Sequence, residues 1–314
     1  MRTRITGCGS GRAAGTIGSI AALTRAARRW ARLIILAASC GLAALPAQAG
    51  DALVNATPTH PLRIITLAPS ATELVFAAGA GDNIVGTVVS SDYPAAARAI
   101  PRVGDGIQLN VESILALNPD LLVAWQASNA IRALAALVAP LGVPILYEAP
   151  QSLPDIPKAI RRLGAKLGTA PIASAKADAL QARINALDPG HRTLTVFIEV
   201  SADPLYTLGR DPLINDLLAR CGAVNLYGDR LVAAPQINAE SVLRDQPDVV
   251  IVSPYGWETL DELAGYWRRL RLPAAVQGHV YAIDPDWLHR PGPRMIDAAE
   301  AVCRDLARRR AAAH

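Results

Sequence analysis

The sequence contains few histidines, cysteines and aromatic residues, and these shortages exclude several classes of function. Its five histidines are scattered, and none lies at a spacing that would pair it with a second metal ligand. The sequence also lacks a G-x-S-x-G nucleophile elbow, a phosphate-binding loop and a dinucleotide fingerprint. We therefore expect no catalytic residue, no metal site and no resident cofactor.

A basic surface signature is missing from the chain beyond its first 49 residues. The formal net charge of the whole chain is +4. Residues 1–49 contain seven arginines and no acidic residue, so the remainder has a formal charge of 4 − 7 = −3. Such a balance offers no electrostatic footprint for nucleic acid, and we expect no nucleic-acid partner.

Residues 1–49 are typical of an export signal. A basic stretch ending in RRWAR precedes the apolar run LIILAASCGLAAL, and the small-residue site AQA follows at 47–49. We expect cleavage after Ala49 and export to the periplasm. The apolar run is short for a membrane span, and an uncleaved anchor is the alternative. Lipidation at Cys40 is the weaker option, because AASC lacks the large aliphatic residue expected three positions before the cysteine.

Only two cysteines, Cys221 and Cys303, follow this leader. In an oxidising compartment, such a pair most simply forms one disulfide. Two buried free thiols are the alternative that the sequence leaves open.

An internal repeat indicates how the chain is organised. The stretches NVESILALNPDLLVAW at 110–125 and NAESVLRDQPDVVIVS at 238–253 share Asn, Glu-Ser, Leu and Pro-Asp at a constant offset of 128 positions. Each copy predicts a short helix capped by asparagine, a Pro-Asp turn and a buried aliphatic strand. The repeat implies two similar α/β lobes.

The segments around the repeats extend this correspondence, because strand and helix patterns alternate in the same order in both halves. Such alternation predicts central parallel sheets flanked by helices. Apolar residues at helical spacing between the halves predict a single long rigid helix joining the lobes, with little closure of the cleft between them. The predicted division is a signal peptide at 1–49, an N-terminal binding lobe at 50–168, an interlobe helix at 169–190 and a C-terminal binding lobe at 191–314.

The scarce aromatic residues recur at the ends of predicted strands, where ligands of parallel sheets gather. With the loop DPDWLHRPGPR at 284–294, they predict a broad, flat-walled site for a large rigid ligand with polar edges. There are two alternatives: Tyr93 and Trp125 fill the lobe interface, or Asp286 and Arg290 form only a local ion pair. The candidate ligand contacts are Pro69, Tyr93, Trp125, Tyr147, Tyr206, Asp286, Trp287 and Arg290.

Several of these stretches resemble one known family. TLAPSATELVFAAG, SDYP, both copies of the repeat, CGAVNLY and DWLHRPGPR, together with the leader, are similar to the rigid two-lobed periplasmic binding proteins for cobalamin, haem and ferric siderophores. The resemblance covers nearly all of the chain after the leader. It implies a monomeric, non-catalytic binding protein that captures a corrinoid, most simply cobalamin, and delivers it to the permease subunits of an ABC importer.

The resemblance also implies roles for individual residues. Cys221 and Cys303 would form the disulfide, and Glu112 and Glu240 would meet arginines on the two permease subunits. The residues that would contact the corrinoid are Pro69, Tyr93, Trp125, Asp286 and Arg290.

The chain departs from the cobalamin-binding members at two positions. It has Gly106 and Ala234 where those members have tryptophan. A haem or ferric-siderophore binding protein of the same fold is therefore the alternative function, and an enzyme acting on a tetrapyrrole is a more distant one.

Overall fold

The chain folds as alternating strands and helices, as the sequence predicts. The computed structural model describes residues 61–254 and 259–312. The strands are β1 (Ile64–Thr66), β2 (Ile84–Gly86), β3 (Leu121–Ala124), β4 (Ile145–Tyr147), β5 (Leu194–Ala202), β6 (Leu205–Thr207), β7 (Ala223–Asn225), β8 (Val249–Val252) and β9 (Val280–Ala282). The helices are α1 (Pro69–Ala77), α2 (Val111–Ala116), α3 (Asn129–Val138), α4 (Asp155–Leu167), α5 (Ala170–Asn185), α6 (Pro212–Arg220), α7 (Ala239–Asp245), α8 (Leu260–Arg269), α9 (Pro273–Val276), α10 (Pro285–Leu288) and α11 (Met295–Ala311).

Two sheets organise these elements into two lobes. The first lobe is built on a four-stranded sheet in the order β2-β1-β3-β4, in which every pairing is parallel. The second is built on β6-β5-β8-β9, with β7 also paired to β5. Its pairings are parallel except for β6, which runs antiparallel to β5. The predicted α/β class is therefore confirmed, and the antiparallel hairpin at β5 and β6 is an addition that the sequence pattern does not predict.

Apolar clusters cover both faces of each sheet. Successive strand residues point to opposite faces, so each strand contributes to two clusters. In β1, Ile64 and Ile65 are both fully buried but belong to different apolar clusters. In β5, Val196 belongs to the same cluster as Ile64, whereas Phe197 belongs to a third cluster on the far side of the second sheet. One continuous apolar cluster thus packs against both sheets, and each lobe has a second cluster of its own.

The two copies of the repeat adopt the same local structure. Asn110 and Asn238 cap α2 and α7, and each side chain accepts a hydrogen bond from a serine backbone N–H at 2.9 Å. Each helix is followed by a residue in the left-handed region, Asn118 and Gln246, both with φ of 44°. The predicted asparagine caps are confirmed, and they satisfy backbone donors that a helix start leaves without intrahelical partners.

The connection between the lobes is a helical hairpin. Gly168, with φ of +74°, ends α4 in the left-handed conformation and lets α5 fold back along it. A Cβ on Gly164 would lie 2.1 Å from the Cβ of Ala173, so the two helices approach closely at this glycine. The connecting helix α5 has 16 residues and a length of about 24 Å. It packs along α4 over this length, so it is supported on one side.

The disulfide between Cys221 and Cys303 is confirmed. Cys221 is fully buried at the C-terminal end of α6, and Cys303 lies in the middle of α11. The bond therefore ties two helices of the second lobe together.

The predicted leader lies outside the described residues, and so do Cys40 and the expected cleavage point after Ala49. The lobe boundaries drawn from the sequence remain predictions as well. In the described part of the chain, no helix combines the length and the apolar character that a membrane span requires.

Candidate ligand-binding site

Three exposed aromatic side chains lie at the carboxyl edge of the first sheet. Trp125 directly follows β3, and Tyr147 ends the neighbouring strand β4, where it pairs in register with Ala124. Tyr93 lies in the segment that follows β2. Their exposed fractions are 40%, 41% and 47%, respectively. Because parallel strands end at the same edge of their sheet, we place these rings along one edge of the first lobe.

Pro69 lies at the same edge, where it begins α1 directly after β1. Proline is favoured in the first turn of a helix because its missing N–H would have no intrahelical acceptor there. The Leu67 backbone N–H donates to the Val123 carbonyl at 2.8 Å, which holds this turn beside β3. Pro69 is half-buried, so the turn presents a rigid apolar corner next to the three aromatic side chains.

Buried hydroxyl groups form hydrogen bonds that hold the segment between β2 and Tyr93. The hydroxyls of Thr66, Thr72 and Thr87 lie 2.7–2.9 Å from one another, and Ser91 Oγ lies 2.9 Å from Thr72 Oγ1. All four residues are buried. The segment that ends in Tyr93 is therefore anchored to β1, β2 and α1 by hydrogen bonds in the interior, where such bonds are costly to leave unmade.

The loop at 284–294 is the second-lobe side of the site. Asp284 caps α10 by accepting a hydrogen bond from the Asp286 backbone N–H at 2.8 Å. Trp287 is half-buried and packs against the large apolar cluster, so its ring supports the loop from beneath. Arg290 and Asp286 form an ion pair of 2.6 Å between Nη2 and Oδ1. The ion pair between Asp286 and Arg290 that the sequence left as an alternative is therefore present, and Arg290 has a further partner.

That partner belongs to the first lobe. Arg290 Nη1 donates to Asp92 Oδ1 at 2.6 Å, next to Tyr93. Burial opposes the charge on Asp92, but the hydrogen bond and charge of Arg290 outweigh it and lower the pKa of this carboxyl. Burial raises the pKa of Asp286, Arg290 opposes that change, and the nearby Asp92 charge adds to it. Arg290 thus joins one carboxylate of each lobe.

A second arginine of the same loop also reaches the first lobe. Arg294 Nη2 donates to Glu73 Oε1 at 2.7 Å, and its guanidinium carbon lies 4.4 Å from the centroid of the Tyr93 ring. Glu73 is buried, and this burial raises its pKa even though the hydrogen bond and charge of Arg294 act in the opposite direction. The structure therefore brings Tyr93, Asp286 and Arg290 together through Asp92, Glu73 and Arg294.

The remaining predicted residues lie at related edges. Tyr206 is half-buried in β6, opposite Ser201 near the carboxyl end of β5. Glu112 and Glu240 are exposed in the first turns of α2 and α7. Backbone hydrogen bonds hold the start of each helix in place. The Asn110 N–H donates to the Val103 carbonyl before α2, and the Ile237 N–H donates to the Leu205 carbonyl of β6 before α7. No interaction in the described residues joins Tyr206, Glu112 or Glu240 to the Arg290 and Arg294 network.

Sequence reasoning missed Glu73, Asp92 and Arg294. Each stands inside a stretch that it did single out, namely TLAPSATELVFAAG, SDYP and DWLHRPGPR. Glu73 and Asp92 are the only charged residues of TLAPSATELVFAAG and SDYP, which was the available signal, but nothing local indicated which charges would pair.

Comparison with known proteins assigns the chain to a family. The model of the periplasmic binding protein family matches residues 64–287. The chain belongs to that family. The resemblance drawn from the sequence motifs is thereby confirmed.

Relatives of the chain include binding proteins for two macrocyclic ligands. A vitamin B12-binding protein of Pectobacterium atrosepticum is 35% identical over 266 residues, which cover 82% of this chain and 93% of the relative. The crystal structure of the periplasmic vitamin B12 binding protein BtuF of Vibrio cholerae is 34% identical with a TM-score of 0.71, covering 79% of this chain and 97% of that chain. The apo form of the periplasmic heme-binding protein RhuT from Roseiflexus sp. RS-1 is 25% identical with a TM-score of 0.68, covering 80% and 99%.

The predicted site of this periplasmic binding protein lies at the strand edges, among partly exposed side chains. A cavity of about 660 Å³ lies elsewhere, between the end of α5 and α11, and none of the eight predicted ligand contacts lines it. Over residues 61–254 and 259–312, no group of three or more histidine, cysteine, aspartate or glutamate residues is placed to hold a metal ion. Chemically, the edge offers aromatic faces from one lobe and hydrogen-bonding charges from the other.

Proposed function

We propose that this chain is a non-catalytic, monomeric periplasmic binding protein that captures a corrinoid, cobalamin in the first place, between its two lobes and delivers it to an ABC importer. The observation that supports it most is the pairing of an aromatic edge on the first lobe with the charged loop at 284–294 on the second. Export by a cleaved leader is part of the proposal.

The chemistry of a corrinoid suits both surfaces. Its macrocycle is large, rigid and mostly apolar on its faces, so Trp125, Tyr147 and Tyr93 can pack against it with little loss of conformational freedom. Its rim bears amide groups, which accept and donate hydrogen bonds. Arg290 can donate to the amide oxygens and Asp286 can accept from the amide nitrogens. Pro69 and Tyr206 would complete the contacts at the two strand ends, while Trp287 supports the loop.

The relatives support the choice of ligand. Proteins with 33–35% identity to this chain are named for binding vitamin B12, and they are covered over nearly their whole length. Heme-binding proteins share the fold at 22–25% identity, which makes haem the ligand to compare with cobalamin in an experiment.

Delivery would use the two exposed glutamates. Glu112 and Glu240 lie 128 positions apart at equivalent places in the repeat, one on each lobe. The first turn of a helix favours a carboxylate by about 0.3–1 kcal/mol, which by itself explains either glutamate. The pairing across two lobes suits docking on a pair of similar permease subunits, where charge pairs set orientation and association rate more than ligand affinity.

Titration of the purified protein with cyanocobalamin, cobinamide and haem tests the ligand. We expect saturable one-to-one binding of cyanocobalamin by absorbance and calorimetry, with recovery of the unchanged ligand by mass spectrometry. Tighter binding of haem than of cyanocobalamin would favour the heme-binding function, and conversion of the ligand would contradict a carrier.

Charge reversal of the glutamates tests delivery. The double variant Glu112→Arg with Glu240→Arg is expected to bind cobalamin normally but to abolish uptake into vesicles that contain the cognate importer. Glu262→Arg provides a matched control, since Glu262 also lies in the first turn of a helix. Normal uptake by the double variant would leave the two glutamates with a helix-stabilising role only.

A further inference from the structure

Arg294 lies between a buried carboxylate and an exposed ring. Its side chain is 11% exposed, and that of Glu73 is 1% exposed. Both Arg294 Nε and Arg294 Nη2 donate to Glu73 Oε1, at 3.1 and 2.7 Å. A guanidinium held by two hydrogen bonds has few remaining orientations. Arg294 is therefore an anchored group whose flat face is presented to its other neighbour, Tyr93.

Glu73 is suited to act as the anchor. It lies in α1, packed among the buried residues of the first lobe, whereas Arg294 immediately precedes α11 of the second lobe. Gly292 passes so close that a Cβ there would lie 3.3 Å from Glu73 Oε2, and within the described residues this oxygen has no hydrogen-bond partner. Arg294 is thus the partner that compensates the buried Glu73 charge, and losing it would leave a costly buried carboxylate.

Tyr93 needs such support because the residue is 47% exposed, so neighbouring side chains cover only part of it. The backbone before it is held by Ser91 and by the Asp92–Arg290 ion pair. The ring itself is covered by the Arg294 guanidinium at 4.4 Å, a distance typical of a favourable cation–π contact. The orientation of an exposed ring on the first lobe is therefore set from the second lobe.

We propose that Arg294, anchored by Glu73, is a positioning residue for ligand binding. It fixes the Tyr93 ring in the orientation that receives the ligand, without itself touching the ligand. This inference rests on the proposed function, because it assigns Tyr93 a place in the binding surface. It adds a specificity element made of two residues of the first lobe, Glu73 and Tyr93, and one of the second-lobe loop, Arg294.

A double-mutant cycle between Arg294 and Tyr93 tests the inference. Arg294→Lys keeps the charge for Glu73 but loses the flat guanidinium, so we expect cyanocobalamin affinity to fall about tenfold in calorimetry. In the Tyr93→Ala background the same change should alter affinity by less than about twofold, since the ring through which Arg294 acts is gone. Equal losses in both backgrounds would overturn the inference and leave Arg294 with a general structural role.

Arg183→Lys is the matched control. Like Arg294, Arg183 of α5 is held by ion pairs near the start of α11. It lies 2.5 Å from Asp297 and 2.7 Å from Glu300, and it has no contact with Tyr93. We expect this variant to bind cyanocobalamin as the unmodified protein does. A tenfold loss here as well would show that any ion pair to α11 has this effect, which contradicts a specific role for Arg294.

A ligand-free measurement separates this inference from the proposed function. In protein labelled with ¹³C-tyrosine, the Tyr93 ring resonance, identified by its loss in Tyr93→Phe, should shift in Arg294→Lys and in Glu73→Gln but not in Arg183→Lys. If the unmodified protein fails to bind cyanocobalamin while these shifts occur, the ligand assignment is wrong and the positioning of Tyr93 stands. An unchanged Tyr93 resonance in both variants would overturn the positioning itself.

Discussion

At equivalent backbone positions the two lobes present different side chains. Trp125 follows β3 and is 40% exposed, whereas Ser253, 128 positions later, follows β8 and is buried. One strand further along each sheet, Tyr147 pairs with Ala124, and Ala282 pairs with Val252. The edge of the first lobe is aromatic where the matching edge of the second lobe has small residues.

The described aromatic residues of the second lobe mostly point inward. Phe197 and Trp267 are fully buried, with ring centroids 5.5 Å apart in an edge-to-face arrangement, and Trp267 Nε1 donates to Glu199 Oε2 at 2.5 Å. The rim of this lobe instead provides Asp286 and Arg290. The repeat therefore sets the backbone of both lobes but not their surface chemistry, and each lobe contributes one half of a recognition surface.

The largest expected effect is on stability and comes from removing the buried Trp267 ring. Trp267→Ala should lower the free energy of unfolding by about 3–5 kcal/mol, because it leaves a cavity beside Phe197. Urea unfolding followed by circular dichroism measures this loss. Cyanocobalamin affinity of the folded variant should stay unchanged, and weakened binding with little loss of stability would contradict the inward assignment.

The disulfide is expected to stabilise the second lobe more than the first. The first lobe has no cysteine, whereas the second is closed by a bond between residues separated by 82 positions. Replacing Cys221 and Cys303 by alanine should cost about 2–4 kcal/mol of unfolding free energy. Hydrogen exchange should then accelerate in α6 and α11 more than in β1–β4. Uniform acceleration would mean that the shared apolar cluster couples the lobes completely.

These features differ in how well the sequence predicts them. The repeat and its asparagine caps were predictable, because each depends on residues close together in the chain. The predicted interlobe helix at 169–190 contains α5, but the packing of α5 back along α4 was not predicted, because it depends on contacts between the two helices. The antiparallel strand β6 was also missed, since the alternation of strands and helices predicts parallel pairing only.

For the candidate site, strand ends were the useful signal. They located Trp125 and Tyr147, whose positions follow from where buried strands stop. The partners of Arg290 and Arg294 lie 198 and 221 positions away, at Asp92 and Glu73. Pairing over such distances depends on how the lobes pack, which no local pattern encodes.

The exposed aromatic group of the first lobe should affect binding rather than stability. Trp125→Ala is expected to weaken cyanocobalamin binding by about 1–3 kcal/mol, the usual contribution of a large aromatic ring packed on a ligand face. Calorimetry measures the change, and thermal unfolding should be nearly unaltered. Leu141→Ala is the control, because Leu141 is 62% exposed on the same lobe but precedes β4 and so lies at the opposite edge. Undiminished affinity in Trp125→Ala would remove this ring from the site.

The smallest expected effect is a change of stability with pH. It compares Asp92 at the rim of the first lobe with Glu148 in its interior. Arg290 lowers the pKa of Asp92 against the effect of burial, so the stability from this pair is present above the unfolded-state value of about 3.8 and is lost as pH falls through the lower folded-state value. Burial raises the pKa of Glu148, with its partner Arg162 acting in the opposite direction, so its charge costs stability at neutral pH. That cost is relieved as pH falls through the raised value towards the unfolded-state value of 4.5.

The two carboxylates therefore predict opposite changes on acidification. The deficit of Asp92→Asn relative to the unmodified protein should be roughly 0.2–1 kcal/mol at neutral pH, as for other exposed ion pairs, and should vanish as pH falls through the lowered pKa of Asp92. Glu148→Gln should instead remove part of the stabilisation that the unmodified protein gains as pH falls from neutral towards 4.5. Thermal unfolding of the three proteins across this range measures both. A deficit of Asp92→Asn that persists at the lowest pH would mean that the Asp92 side chain stabilises the lobe contact by its shape and not by its charge.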